Sequence, residues 1–551
     1  MIRLRGERWA RWARDDRWTF VAVLAVAALL RLPELATRGT WDADQGHDML
    51  VLRSFVRDGV VPLLGPPTSL GDVHHGALYY YLLSPAAALT GGDSPLAVVL
   101  EIALAGIAAV GVTWWLARSI GGPLAGAIAG LAMAVSIAAI DESTFIWNPN
   151  LIALSSSIAL AGAWRAWTSR RPGWWLVAAV GTAVTMQCHV LGVALLPVVG
   201  GLLFADVRRR ADPAERRTLL RAGVAGGVII LLAFVPLAIN ELTTGFSETR
   251  AALDYLGGDR EAGVVSAPIR FALVGLRVVS WPLIGLITDG FAVAVLATAL
   301  VAAVVAWRWR GAARGRPLGA APDERTAVRW LGLALLWTTL FLTVAAPSLA
   351  AVVRGLPNDH YHAFADPMVF VLVGVGLAGV AAARAWGRRG ATIGPSAVVV
   401  VLVALVGWNL SHLPPSVHPD GGFPAASAAA DRVAGALRAG GIRPDEVVDL
   451  RSLPAFKSTE AYAYPLIRLG QAVEAATPQG LAPGSWVASV AGPAATVLIC
   501  DRLFEPAGGR VCGGPAEAAA LSSAPRSVGP LLDRFEAAPG RILSVYGRPP
   551  S

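Results

Sequence analysis

The chain has 551 residues, of which 55% are hydrophobic and 15% charged, with a mean hydropathy of +0.56. Soluble domains carry about 25% charged residues, so the composition excludes a soluble enzyme and places the chain in the membrane. The formal net charge of +8 does not call for nucleic acid, because Lys and Arg collect in the cytoplasmic loops of membrane proteins and set their orientation. Lys457 is the one lysine. The weight of Arg, Ala, Gly, Val and Pro fits GC-rich coding and a bacterial source.

The first 17 residues are basic and residues 18–30 apolar. The pattern predicts an uncleaved signal anchor, since Arg31 and Glu34 interrupt its end and no small-x-small cleavage site follows. A membrane span needs about 20 apolar residues. Eleven segments approach this: 18–36, 96–117, 122–140, 148–167, 173–188, 190–205, 219–239, 284–307, 328–350, 367–386 and 394–411. The intervening loops alternate in character. Arg118, Arg165, Arg170, Arg171, Arg208–Arg210, Arg308, Arg310, Arg384 and Arg388 fall on one side, which predicts a cytoplasmic N-terminus. Loops 37–95, 141–147, 187–189, 240–283 and 351–366 fall on the other side, with the C-terminal region. They are rich in Asp, Glu, His, Asn and Trp.

The first of these outer loops opens with Trp41-Asp42-Ala43-Asp44-Gln45-Gly46-His47-Asp48. On a short helix Asp44 and Asp48 stack on one face, and a carboxylate near another has its pKa raised, which suits a general base. The loop continues through His74-His75-Gly76-Ala77-Leu78-Tyr79-Tyr80-Tyr81, predicted as an interfacial helix with its tyrosines at headgroup depth. Asp141-Glu142 and Trp147-Asn148-Pro149-Asn150 lie where the third span ends and the fourth begins. Gln187 and His189 sit between two apolar segments, where an ionisable group is a functional candidate. In 240–283, Arg270 and Arg277 are seven apart, on one face of a predicted surface-lying helix. Arg354, His360, Tyr361 and His362 precede the tenth span, and Arg and His near a membrane surface suit a lipid phosphate.

A turn-rich linker at 412–424 leads to residues 425–551, read as a small extracytoplasmic α/β domain. Helices are expected at 425–439 and 461–476, and strands at 446–450, 486–490, 495–500 and 542–546. Cys500 and Cys512 suit a disulfide closing a short loop, whereas Cys188 is expected to be buried and free.

All the polar clusters fall on the outer side, which implies one extracytoplasmic site at the membrane boundary. Through residues 18–411 the order of parts resembles the GT-C superfamily of polyprenyl-phosphate-sugar glycosyltransferases, whose members include protein O-mannosyltransferases and the lipid A aminoarabinose transferase. The resemblance is carried by Asp44-Gln45 in the first outer loop, by His75-Gly76-Ala77-Leu78-Tyr79-Tyr80, by the acidic Asp141 and by the His/Arg-Tyr segment before a late span. Related sequences often read Asp-Glu or Asp-Gln where Asp44-Gln45 stands, and carry proline where Ala77 stands. His189 stands where the aminoarabinose transferase has a lysine.

The resemblance implies a multi-pass GT-C module over 1–411 and an inverting transfer of sugar from a polyprenyl phosphate to a hydroxyl on a glycan, lipid or protein. Catalytic roles fall to Asp44 as base and to Asp141. Substrate contacts fall to Asp42, Asp48, His74, His75, Tyr79, Glu142, Asn148, His189, Arg354, His360 and Tyr361. No cofactor is called for. A divalent metal on Asp42 and Asp44 with Asp72, His74 and His75 is the alternative in that respect. A lipid-linked sugar flippase and a non-catalytic envelope scaffold are the alternatives in function. A flippase predicts polar groups near the midplane of the bilayer.

Overall fold

The computed structural model describes residues 16–68, 73–257, 266–285, 290–310, 320–350, 359–383, 390–453, 459–474, 492–502, 505, 512–522 and 528–548. Most of them build a helical bundle. Helix α1 (Asp16–Arg31) leads to a short, largely buried helix, α2 (Ala43–Arg53), and a two-stranded ribbon, β1 (Leu64–Pro67) with β2 (His74–Gly76). Next come α3 (Leu78–Ala88), α4 (Pro95–Gly121), α5 (Pro123–Val135), α6 (Ile137–Asp141), α7 (Ile152–Ser169), α8 (Trp174–Cys188) and α9 (Leu195–Arg209). The bent pair α10 (Pro213–Leu232) and α11 (Val235–Thr244) precedes α12 (Ser247–Gly257). The bundle closes with α13 (Ala267–Ile284), α14 (Phe291–Arg310), α15 (Glu324–Ala345), α16 (Asp366–Ala382) and α17 (Gly390–Ser411).

Local sequence explains the breaks. Gly122 has φ +86°, open to glycine, and Pro123 follows at the first position of α5, so α4 and α5 fold back as a hairpin. Small residues bring helices close: a Cβ on Gly374 would lie 2.4 Å from Ala125 O, the kind of packing that holds apolar helices together in lipid. α16 runs through the centre, buried continuously from Asp366 to Gly379.

Among the described residues seven helices are long and apolar enough to cross a membrane, eight if the bent pair counts as one. The eleven expected segments all coincide with helices, but several are shorter or broken, and length and composition do not reproduce the count of eleven. α13 passes the same test although the sequence reads it as surface-lying. Its neighbours are Thr339 near the end of α15, Leu349, Asp359 and Ser136, which gather at one end of the bundle. Arg277 is 4% exposed and turns inward to Asp359, not outward to headgroups.

The C-terminal residues form a five-stranded sheet in the order β4 (Val473–Glu474), β3 (Val448–Leu453), β5 (Ala495–Asp501), β7 (Arg541–Tyr546), β6 (Leu531–Ala538). β3 runs parallel to β4 and β5, while β7 is antiparallel to β5 and β6. Helices α18 (Gly422–Ala439), α19 (Thr459–Arg468) and α20 (Pro515–Ser522) accompany it. The helix expected at 461–476 ends at Arg468, because Gly470 takes φ +85° and the chain enters β4. The strand expected at 486–490 lies outside the described residues. Cys500 and Cys512 are disulfide-bonded, and Cys188 is free and buried.

The linker is strapped to the first loop. Thr37 Oγ1 donates to Ser416 O at 2.8 Å, and Asp420 accepts from Thr40 Oγ1 at 2.7 Å and from Trp41 N at 2.9 Å.

Candidate active site

The site is built around α2. Asp42 caps it in a reciprocal box with Gln45, whose Oε1 accepts from Asp42 N at 2.9 Å, the arrangement that satisfies the helix's first orphan donors. The Gln45 amide donates its other end to Ile146 O at 2.9 Å. A glutamate has no such donor, which gives the departure at Gln45 a structural reason. Asp42 also meets Arg541 at 3.1 Å, and Arg541 binds Asp501 at 2.7 Å and Trp41 O at 2.8 Å. Asp42 is therefore committed to holding the C-terminal domain, where the sequence expected a substrate contact. Trp41 Nε1 donates to Ala461 O at 2.8 Å. A Cβ on Gly46 would lie 2.1 Å from Glu460 O, so α19 seats against α2 only because residue 46 is glycine.

Asp44 and Asp48, one turn apart, have opposite surroundings. Asp44 is exposed. Asp48 is 1% exposed and accepts from Tyr79 OH and Tyr80 OH, each at 2.8 Å. Burial lifts the Asp48 carboxyl to about 8, the two phenols oppose this, and the Asp44 charge adds to it. The tyrosines thus turn into the protein instead of resting at headgroup depth, and neither Asp48 nor Tyr79 is placed as a substrate contact. Among the carboxylates of α2, Asp44 is the one open to solvent. Burial, with His74 adding, holds the neighbouring His47 down at about 4.

The ribbon sends its two histidines to different partners, as strand alternation requires. His74 places its backbone N 2.7 Å and its Nδ1 2.9 Å from the Glu248 carboxylate, so it forms a buried pair with that residue. His75 faces His189, ring centroids 4.8 Å apart. A Cβ on Gly76 would fall 1.9 Å from Gln187 Oε1, so any larger residue there would push aside the amide that accepts from Leu78 N at 3.4 Å. His189 stands 5.5 Å from His360 and 5.4 Å from Tyr361, and His360 packs 4.4 Å from Trp147 and 4.4 Å from Tyr361. Burial pushes His75 well below its ordinary value and His189 to about 4. Asn148 does not line this cluster by its amide, which donates to Cys188 O.

Asp141 and Glu142 arrive on a helix restarted after Ser136. Arg31 donates to Met133 O at 3.0 Å and Ala134 O at 2.8 Å, ending α5. Asn409 Oδ1 accepts from Ile137 N at 2.9 Å, starting α6. Burial raises the Asp141 carboxyl, with His418 and Arg38 opposing. Burial also raises Glu142 well above the ordinary range, with Asp366 adding. Behind them runs a chain of buried pairs: Arg277 Nε to Asp359 at 2.8 Å, Asp359 to His362 Nε2 at 3.2 Å, and His362 Nδ1 to Asp366 at 3.0 Å.

Arg354 and Asp72 lie outside the described residues. Among the described residues no three His, Cys, Asp or Glu side chains are grouped to hold a metal ion, since His74 is turned to Glu248. Sequence reasoning read Tyr80 only as an interfacial tyrosine and passed over Glu248, Asp359, Asp366 and Arg541. A signal existed for two of them: Asp359 and Asp366 lie three before and four after His362, the spacing at which helical neighbours meet.

Residues 74–239 match the family of dolichyl-phosphate-mannose-protein mannosyltransferases. The whole fold is similar to that of ArnT from Cupriavidus metallidurans. Its apo structure has a TM-score of 0.54 at 16% identity, covering 96% of this chain and 97% of that one. Its structure with undecaprenyl phosphate bound has a TM-score of 0.56 at 15% identity, covering 96% and 98%. The oligosaccharyltransferase of Archaeoglobus fulgidus, solved with a tethered acceptor peptide, has a TM-score of 0.48 at 14% identity, covering 97% of this chain and 74% of that one. No curated protein sequence matches the chain.

Proposed function

We propose that this chain, a GT-C glycosyltransferase, moves one sugar from a polyprenyl monophosphate to an acceptor hydroxyl at the outer face of the cytoplasmic membrane, with inversion. The observation that carries the reading is the division of labour on α2. Asp42 is tied to Arg541 and Asp48 to two tyrosines, while Asp44 is open to solvent on a helix fixed from both sides.

In this reading Asp44 takes the acceptor proton as the acceptor oxygen attacks the anomeric carbon. A positioned base contributes about 10²–10⁴-fold. Asp141 and Glu142 orient the sugar. The leaving phosphate lies at His75, His189, His360 and Tyr361, with Arg354 as the cation of the same segment. Donors aimed at developing charge supply the electrostatic part of catalysis. The ArnT structure that holds undecaprenyl phosphate shares the fold, which supports a polyprenyl carrier. The N-terminus is cytoplasmic and the sheet domain extracytoplasmic.

The test is release of polyprenyl phosphate from a pool of lipid-linked sugars by the purified protein, with a membrane extract as acceptor. Asp44→Asn should lose release, and chelator should leave the wild type active. Equal release from wild type and Asp44→Asn would remove Asp44 from the mechanism.

A further inference from the structure

The three imidazoles of the cluster are not equivalent. Leu191 N donates to His189 Nδ1 at 3.2 Å, so that nitrogen keeps its lone pair and the neutral ring carries its proton on Nε2. Protonating Nδ1 would break the bond that starts the turn after α8. His75 has no such constraint. It is 7% exposed, and its Nδ1, like that of His360, finds no partner among the described residues. Beside it, Gln187 Nε2 is also buried without a partner, on the amide packed against Gly76. Leaving a buried polar atom unpaired is costly, a cost that a ligand at this place removes.

The charges around His75 are already engaged. His74 on the same strand is held by Glu248 of α12. His189 and His360 face it from the α8 break and from the turn before α16. Beyond His360, Asp359 is neutralised by Arg277 and His362. No carboxylate is hydrogen-bonded to the His75 ring among the described residues, and burial first, with the neighbouring imidazoles adding, opposes its protonation. An anion brought within about 4–6 Å favours the charged ring.

We propose that this cluster takes the donor's phosphodiester together with a proton, which goes to His75, while His189 stays a neutral N–H donor. The proposal rests on the placement of the donor phosphate made above. In the transfer the bond from the anomeric carbon to the phosphate oxygen breaks and the bond to the acceptor oxygen forms. The acceptor's proton passes to Asp44 and on to solvent. The departing monoester gains one negative charge, the His75 imidazolium proton passes to it, and His75 returns to neutral. A fixed lysine would stabilise the same charge at any neutral pH; a histidine makes the step depend on pH.

The test is calorimetric binding of a citronellyl methyl phosphodiester to the full chain in lipid nanodiscs, from pH 5.5 to 8.5, in buffers of different ionisation enthalpy. The probe's charge is constant over this range, so any pH slope belongs to the protein. Binding should take up about one proton, and affinity should fall about tenfold per pH unit over part of the range. His75→Gln should abolish the uptake and flatten the slope; His189→Gln should weaken binding and keep the uptake. Binding without proton uptake overturns the proposal and leaves the donor site standing, uptake that survives His75→Gln overturns the assignment to His75, and no binding at any pH overturns both.

Discussion

The two ends of the helical bundle treat charge in opposite ways. At the end carrying Arg118, Arg170, Arg210 and Arg308, charged groups meet complementary partners. Arg118 pairs with Asp16, Arg210 with Asp206 at 3.1 Å, Arg170 with Glu215 at 3.0 Å, and Arg308 with Glu324. Trp167 and Trp175 add indole N–H donors to Asp323 and Asp206. At the other end Asp48 and Glu142 are held as reluctant acids by burial, and His75 and Gln187 keep unpaired polar atoms. The charged pairs of the first end are satisfied without a ligand, and there the buried atoms left unpartnered among the described residues include the indole N–H groups of Trp114 and Trp164. The second carries an unmet demand for partners, which is what a binding site looks like before its substrate arrives.

The largest effect should come from the least buried member of the demanding end. Asp44→Asn should lower transfer by about 10²–10⁴-fold with little change in melting temperature, because its carboxylate is exposed; a release assay beside a thermal melt checks both. Next is Arg541→Ala, which removes the cation that Asp501 and Asp42 share. Breaking a buried pair costs about 3–5 kcal/mol, so the sheet domain should undock from α2. Limited proteolysis should then cut within 412–424, and Arg541→Lys should restore only part of the protection, since a lysine cannot reach Asp42, Asp501 and Trp41 O together.

What could be read in advance follows the range of the interaction. Apolar runs fixed where the helices lie, and the acidic and histidine clusters were found because each is local in sequence. The partition within each cluster was not legible. Asp44 and Asp48 look alike on a helix, and Tyr79 and Tyr80 separate them from about 30 residues away. His74 and His75 look alike on a strand, and Glu248 separates them from 174 residues away. Arg277 was placed on the outer surface by its spacing from Arg270, and Asp359, 82 residues later, turns it inward. The glycines were legible only as glycines: Gly46 owes its identity to the backbone of Glu460, 414 residues away.

Asp48 sharpens the contrast through pH. Its folded pKa of about 8 lies above the ordinary carboxyl value of 3.8, so the folded protein holds a proton that the unfolded chain releases. That contribution is fully present below about pH 4 and is lost as pH rises toward 8, with a limiting slope of about 1.4 kcal/mol per unit. Melting temperature should fall between pH 6 and 8 in the wild type and fall less in Asp48→Asn, whose amide cannot ionise. Parallel curves for the two proteins would mean that the carboxyl is already ionised in the fold.

The smallest effect belongs to the satisfied end, and its smallness is the point. Arg170 and Glu215 are about half exposed, at 55% and 47% of their side chains, and solvent screens such pairs so that they contribute little to stability. Arg210 also reaches Glu215, at 3.2 Å, so Arg170→Ala leaves that carboxylate with a partner. Transfer and melting temperature should both stay within error of the wild type. A loss of transfer in Arg170→Ala without a loss of stability would show that this end carries chemistry too, and the contrast between the two ends would then have to be redrawn.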